Sequence, residues 1–398
     1  MTISANAVDG PQAAAETSAV SRQQVGSPWS RRGVAAGPPS RGKSGGGVAL
    51  ESAAVDFVLP DALSAAAPPE ARGLARDEVR LLVSDGPSLT HARFRELPSF
   101  LRPGDLVVFN NSAMITAAVD AEYAGASAVL HFSTWLDDGG WVVELRDPAG
   151  VPWRGAALKS GARIALQGGQ VATMRGPWLP DGDRLWIAEV AAVPGGIDID
   201  VRTVIARYGR PITYSYVAER WSASYYRTVF GMIPGSAEMP SAGRPFTEAL
   251  VTGLIAGGVG LAPITLHTGV SSPEAGEPPS PERFEVPEMT ARLVDATRTA
   301  GGRVVAVGTT VTRALESAAT VDGRVRPMAG WTDLVLSADR PARVVDGLIT
   351  GWHAPGASHL HLLEAVAGGE VIREAYRAAL DSGYLWHEFG DAALLFRN

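Results

Sequence analysis

The chain has 398 residues, a formal net charge of -7 at neutral pH, 46% hydrophobic residues and no cysteine. That length holds two domains and a sizeable core. The missing thiols exclude disulfides, thiolate catalysis and Cys-ligated zinc or iron–sulfur centres. The negative balance gives no general basic field for nucleic acid, although a local arginine patch suffices for one enzyme–RNA contact.

Residues 1–50 are mostly Ala, Gly, Ser, Pro and Gln with scattered Arg, ending in Gly45-Gly46-Gly47. Such a composition buries too little apolar surface to offset its ordering entropy, so a disordered tail is expected, with Arg31-Arg32 and Arg41-Gly42-Lys43 as solvated charge. No apolar h-region follows a basic start and no apolar run of about 18 residues occurs, so neither a secretory signal nor a membrane span is expected, and the reading is cytoplasmic.

From residue 51 the pattern turns globular. Phe57-Val58-Leu59-Pro60 and Leu81-Leu82-Val83 read as short strands, and Pro103-Gly104 is a turn feeding a buried strand that ends at Asn110. Between about 115 and 211 the segments 128–132, 141–145, 163–166, 171–174 and 185–190 are short apolar strands separated by Asp-Gly and Gly-Gly turns. This predicts a small antiparallel barrel or sandwich. After 212 helices and strands alternate. Helices are predicted over 246–255 with Thr247 as N-cap, 288–300, 310–319 and 358–367. Strands are predicted over 259–267, 303–308, 332–337 and 343–350, with Pro263 marking an edge or irregular position in its strand. The expected fold is α/β: a large α/β sheet domain, residues 51–114 and 212–398, with a small antiparallel β-barrel domain inserted over 115–211.

Polar clusters follow four predicted strands: Leu266-His267-Thr268-Gly269, Gly308-Thr309-Thr310 with Arg313 and Glu316, Gly330-Trp331-Thr332-Asp333, and Thr350-Gly351-Trp352-His353. Each has a structural reading alone: a hydrogen-bonded histidine, an i,i+3 ion pair, a turn cap. Together they point to a cleft at the carboxyl ends of the strands, where open α/β sheets bind ligands beside helix N-termini.

The strings carrying these clusters resemble, in order, those of the S-adenosylmethionine:tRNA ribosyltransferase-isomerase family of queuosine biosynthesis. Leu101 to Asn110 looks like "LRPGDLLVFN", Tyr226 to Phe230 like part of "RYQTVYA", Ser241 to Thr247 like "TAGLHFT" and Thr265 to Gly269 like "TLHVG". Val304 to Ser317 is similar to "VIAVGTTSVRTLES", Gly330 to Asp333 to "GWTD", Val344 to Pro355 to "VVDALLTNFHLP", and Phe389 to Ala392 to the start of "YGDAML". The resemblance implies that S-adenosylmethionine is the ribosyl-donating co-substrate. Its ribosyl group goes to 7-aminomethyl-7-deazaguanine in tRNA and is isomerised, giving epoxyqueuosine with release of adenine and methionine. No metal is implied. A base removes a C5′ proton made acidic by the sulfonium, and an acid assists adenine. The titratable candidates in matching motifs are His267, Glu316, Asp333, His353 and Asp391, with base and acid unassigned among them. The candidates for holding S-adenosylmethionine are Thr309, Thr310, Arg313 and Trp331, Arg313 for the methionine carboxylate.

The departures are concentrated. The family's "NDTRVIPARL" is here Asn110-Asn111-Ser112-Ala113-Met114-Ile115-Thr116-Ala117-Ala118-Val119, and Leu-His of "TAGLHFT" is Arg244-Pro245. The His-containing loop before Glu285-Val286-Pro287 has lost its histidines, and "FFSYGDA" is Trp386-His387-Glu388-Phe389-Gly390-Asp391-Ala392. A paralogue that uses S-adenosylmethionine with a small-molecule acceptor or as a lyase, and a non-catalytic binding protein, are the alternatives these departures leave open. A chain beginning at Glu51 is expected to melt within a few degrees of the full chain in a calorimetric scan; a large loss would place the tail in the core.

Overall fold

Leu81-Leu82-Val83 forms the centre of the first strand, and its alternating side chains enter two different cores. The computed structural model describes residues 55–86, 88–154, 158–179, 182–217, 219–271 and 279–397. The expected tail over 1–50 lies outside the described residues. In chain order the elements are β1 (Arg80–Asp85), β2 (Ser88–Arg93), β3 (Leu106–Asn110), β4 (Ser112–Met114), β5 (Ala118–Tyr123), β6 (Ala126–Trp135), β7 (Trp141–Arg146), β8 (Arg163–Leu166), β9 (Gln170–Pro177) and β10 (Leu185–Ala192). Then follow α1 (Val201–Tyr208), β11 (Gly209–Arg210), β12 (Ile233–Ser236), α2 (Glu248–Ala256), β13 (Gly260–His267), β14 (Glu282–Val286), α3 (Glu288–Thr299), β15 (Val304–Val307), α4 (Thr309–Ala318), β16 (Met328–Thr332), β17 (Gly347–Gly351), α5 (His359–Ala367), α6 (Gly369–Asp381) and β18 (Ala392–Phe396).

Nine strands make a mixed sheet in the order β16-β14-β13-β3-β15-β17-β18-β1-β2. Both of its faces are covered, which is why its central strands read as unbroken apolar runs rather than alternating ones. Leu106 and Val108 of β3, and Val304 and Ala306 of β15, face a core built with α3 to α6. Val107, Val305 and Val307 face the other core, with Phe94, Phe246, Leu250 and Leu254. A second sheet draws every strand from residues 118–210, in the order β11-β5-β6-β7-β10-β9-β8, all antiparallel. Its hydrogen bonding returns on itself where β5 also pairs β8, Ala121 opposite Leu166. β4 and β12 form a short parallel pair.

Most predicted elements are present, and Thr247 caps α2 as expected, its side chain accepting from the Leu250 N–H. Three expectations are corrected. Residues 57–60 form no strand: Phe57 packs on Tyr376 and Trp386 while Val58 is 87% exposed, and no neighbouring strand is available. Pro263 takes the irregular position, one of its two readings, inside the sheet but at a locally unpaired stretch. β13 lies between β14 and β3, but β14 pairs only from Thr265 onward. The backbone of Pro263 faces the open side, its carbonyl accepting from the Thr290 hydroxyl at 2.6 Å, so the missing N–H breaks no ladder. The strand expected at 332–337 ends at Thr332, because the Leu334 carbonyl accepts from Arg313 instead of a strand. The strand expected from 343 begins at Gly347, because the N–H groups of Arg343, Val344 and Val345 donate to the Glu316 carboxylate. α6 was not anticipated; its Val371, Ile372, Ala375, Tyr376 and Ala379 stripe is helical in period.

Inside the second sheet Glu144 is fully buried. Arg146 binds it through two donors (2.7 and 3.1 Å) and Arg184 through a third at 2.9 Å. Burial alone would raise this carboxyl, but His131, Arg146 and Arg184 hold it down at about 2. Glu144→Ala leaves two buried guanidinium groups without their counter-charge. It is expected to cost about 3–5 kcal/mol in urea unfolding, whereas a loss below about 1 kcal/mol would show the cluster to be solvated.

Candidate active site

β3, β13, β15 and β17 run parallel, so their carboxyl ends share one edge of the sheet. β16 also ends there, while β14 and β18 begin there. The edge therefore gathers Trp331 to Asp333, Glu282, His267, Asn110, the Gly308-Thr309-Thr310 turn, Gly351 to His353, and Asp391, in that order. At about 4.8 Å per strand it spans roughly 24 Å from β16 to β17. The four sequence clusters thus share one edge, and Arg313 of the Gly308 cluster reaches the Thr332 and Leu334 carbonyls of the Trp331 cluster.

His267 is fully buried. Its Nδ1 lies 2.7 Å from the Ser112 hydroxyl, which is 2.6 Å from the Ser236 hydroxyl; Ser236 in turn accepts from the Thr268 N–H. Asn110 fixes the two strands beneath by accepting from and donating to Leu266. Gly235 is required here, since a Cβ would sit 2.5 Å from His267 Nδ1. Burial, then the Arg283 and Arg202 charges, push His267 down to about 4, so the imidazole is neutral at pH 7. His353, bonded to the Thr350 hydroxyl at 3.1 Å, stacks on His359 at 4.5 Å with rings parallel to 1°. Burial pushes His353 well below its ordinary range, helped by His359 and His387, and pushes His359 to about 4.

The other expected site residues differ in what they hold. Thr309 and Thr310 are partly exposed at the N-terminus of α4, after Gly308 with φ 93°. Arg313 is buried and already engaged: its guanidinium pairs with Glu282 and donates to the carbonyls of Ser280, Thr332 and Leu334. Glu282 itself accepts from the Gly269 N–H, two residues after His267. Glu316 does not pair with Arg313 but caps three successive N–H groups, as described. Asp391 accepts from the Leu385 N–H and the Arg80 N–H, and from the Arg80 guanidinium at 2.9 Å. Asp333 is exposed. Trp331 stacks near Trp178 at 5.9 Å, with the Arg283 guanidinium 4.8 Å from its ring.

Sequence reasoning assigned no role to the group beside β17 and β18. Arg244, Pro245, His387 and Glu388, all positions of departure from the family strings, line one pocket with Gly351 and Asp391. His387 has φ 73°, uncommon for a residue with a side chain, and its ring stacks on Tyr216 at 4.1 Å. Tyr214 lies parallel to Tyr216 at 5.5 Å. Burial, then Glu238, raise Glu388 to about 8 against the opposing pull of Arg244. The departures from the motifs were the only signal for this group. Residues 272–278, in the loop that has lost its histidines, lie outside the described residues.

These groups set a pH dependence of stability. His267 and His359, at about 4 in the folded chain against an ordinary 6.5, bind protons first when unfolded. Their contribution is present above about pH 6.5 and is lost as pH falls through 4. Glu388, raised from 4.5 to about 8, keeps its proton longer when folded, so its contribution is lost as pH rises from 4.5 through 8. The urea midpoint is expected to peak near about pH 6.5 and decline on both sides; a flat profile from pH 4 to about 9 would refute the assignment.

The family model described as "Queuosine biosynthesis protein" matches residues 52–395. The S-adenosylmethionine:tRNA ribosyltransferase-isomerase of Methylobacterium sp. (strain 4-46) is 35% identical over 364 residues, covering 86% of this chain and 97% of that protein. That of Acidithiobacillus ferrooxidans is 37% identical over 352 residues, covering 85% and 96%. The crystal structure of an S-adenosylmethionine tRNA ribosyltransferase from Thermotoga maritima is 29% identical, covers 86% of this chain and 99% of that one, and superposes with a TM-score of 0.47. With its motifs in order along one sheet edge and near end-to-end similarity to these relatives, the chain belongs to the queuosine biosynthesis protein family.

Proposed function

We propose that the protein is an S-adenosylmethionine:tRNA ribosyltransferase-isomerase. It moves the ribosyl group of S-adenosylmethionine to 7-aminomethyl-7-deazaguanine in tRNA and isomerises it to epoxyqueuosine, releasing adenine and methionine. The observation that carries this reading is the similarity to enzymes of that name over 86% of the chain. The gathering of the matching motifs on one sheet edge supports it. On this reading the second sheet is a small barrel inserted over 115–211 into an α/β body formed by 51–114 and 212–398.

The surroundings of each candidate divide the roles. Glu316 and Asp391 have their oxygens filled by backbone N–H groups and serve the frame. Arg313, committed to Glu282 and three carbonyls, holds α4 against β16 rather than gripping methionine. The N–H groups opening α4 at Thr309 and Thr310 are then the donors suited to the methionine carboxylate. The neutral imidazoles His267 and His353 are proton acceptors at pH 7 and so suit the C5′ base. Trp331 with Asp333 stands farther along the edge, where an aromatic face suits a base of the anticodon. Among the described residues no helix is long and apolar enough to cross a membrane, and no group of three or more metal-ligating side chains occurs.

Incubation with S-adenosylmethionine and tRNA carrying the precursor base is expected to release adenine and methionine and to raise the mass of that base, read by mass spectrometry. S-Adenosylhomocysteine as product would overturn the assignment, and equal adenine release without tRNA would point to another acceptor or a lyase. In the same assay His267→Ala is expected to lower turnover about a hundredfold while S-adenosylmethionine still binds.

A further inference from the structure

At the edge where β3, β15 and β17 begin, and where β1 and β18 end, lies a groove of about 400 Å³. Strands of four or five residues put it roughly 13–17 Å from the opposite edge, which carries His267 and the Gly308-Thr309-Thr310 turn. Its size falls within the range of small-molecule sites, about 300–1,000 Å³. Arg102, Arg298, Arg303 and Arg397 line it. They come from four separate segments: the turn before β3, the last turn of α3, the residue before β15 and the residue after β18.

The frame pins these guanidinium groups without neutralising most of them. Arg298 donates to the carbonyls of Gly323 and, at 3.0 Å, Arg343. Arg397 donates through Nη2 to the carbonyls of Ala342 and Val345, at 2.5 and 2.8 Å. A carbonyl fixes the orientation of a guanidinium but leaves its charge, and the group carries five N–H donors in a rigid fork. Arg303 is paired with a carboxylate, Asp105, at 2.6 Å. Among the described residues the Arg102 guanidinium has neither a hydrogen bond nor an ion pair. The opposing groups in the wall are Asp346, which accepts from the Val304 N–H at 2.9 Å, and Asp85, exposed at the end of β1. The carbonyls that end α3 beside the groove are already bonded to the N–H groups of Ala300, Gly301 and Gly302. Four guanidinium groups against these two carboxylates and Asp105 leave positive charge in the groove, in a chain whose net charge is -7.

We propose that this groove is a phosphate-binding site, separate from the edge that carries the candidate active site. Guanidinium groups match phosphate oxygens with paired N–H donors, and arginines already held in place lose little freedom on binding. The wall favours phosphate over a nucleobase. Phe396 supplies its aromatic ring, and the Arg303 guanidinium lies 4.1 Å from the centre of that ring, so a base has no open face to stack on. Space is open beside Arg298, since a Cβ built on Gly301 would meet nothing within 4 Å. The phosphate belongs to a small phosphate ester or diphosphate, or to an RNA backbone; the recognition chemistry is shared, and the test separates the sources. The proposal does not depend on the ribosyl-transfer reading.

The test uses the full chain with pyrophosphate as the probe, titrated by calorimetry at low ionic strength. Arg102→Glu is the main variant, because this guanidinium holds no other group and its loss should leave the melting temperature at the wild-type value. Wild type is expected to bind pyrophosphate, and Arg102→Glu to bind it at least about tenfold more weakly. Arg163→Glu, the same charge change at an exposed position of β8, should bind it as wild type does. In a second arm, tRNA affinity is read against salt concentration. A backbone phosphate in the groove makes Arg102→Glu bind tRNA more weakly and with a shallower salt dependence, whereas a small phosphate compound as natural ligand leaves both unchanged. A loss of pyrophosphate affinity in Arg163→Glu equal to that in Arg102→Glu would show a general charge effect and overturn the site. So would an Arg102→Glu variant that binds both pyrophosphate and tRNA as wild type does, including the case in which wild type binds no pyrophosphate at millimolar concentration. None of these readouts is turnover, so failure here leaves the ribosyl-transfer reading untouched.

Discussion

Everything in the large sheet depends on burying both faces of the parallel strands β13, β3, β15 and β17. Parallel neighbours cannot be joined by tight hairpins, so each connection must cross the sheet and cover a face. That requirement explains the apolar runs Leu106 to Val108 and Val304 to Val307, with helices on one side and Phe94, Phe246 and α2 on the other. It also forces every carboxyl end to one edge. The polar residues that follow these strands are collected there by topology, although they lie far apart in the chain.

Carboxylates hold this arrangement at its ends. Asp105 binds the N–H groups of Arg102 and Arg303 and the Arg303 guanidinium, tying the starts of β3 and β15 together. Glu316 takes three N–H groups ahead of β17, and Asp391 joins the starts of β18 and β1. Burial alone would raise the Asp105 carboxyl, but the Arg303 guanidinium and the Arg102 and Arg303 N–H groups hold it below its usual range. Glu388 is in the opposite situation, enclosed near a second carboxyl and lacking such donors. The contrast between acids bonded to backbone groups and one enclosed without them follows from surroundings, since the side chains are chemically alike.

The positions where the chain departs from the family strings are not scattered in space. Arg244-Pro245 and His387-Glu388 lie more than 140 residues apart yet line one pocket. Arg244 is stabilised there by Glu70 and by the Phe389 ring, 5.1 Å away, and Pro245 needs no donor because it sits in the turn before α2.

Much of the fold was legible locally. The double-sided apolar strands, the Gly turns between 118 and 192 and the Thr247 cap are short-range signals, and they were read correctly, as was the positioning of Thr309 and Thr310 at a helix start. Two of the failures share a cause. Residues 333–337 and 343–346 are apolar enough for strands, but Arg313 and Glu316, distant in sequence, occupy the backbone groups a ladder would need. Sequence displays the charge of these two residues and conceals their partners. Chain order and residue type determined which groups reach the sheet edge. Only the tertiary structure decided which of them turn their side chains onto backbone groups, as Arg313 and Glu316 do, because burial and hydrogen-bond partners are set by contacts across the whole chain.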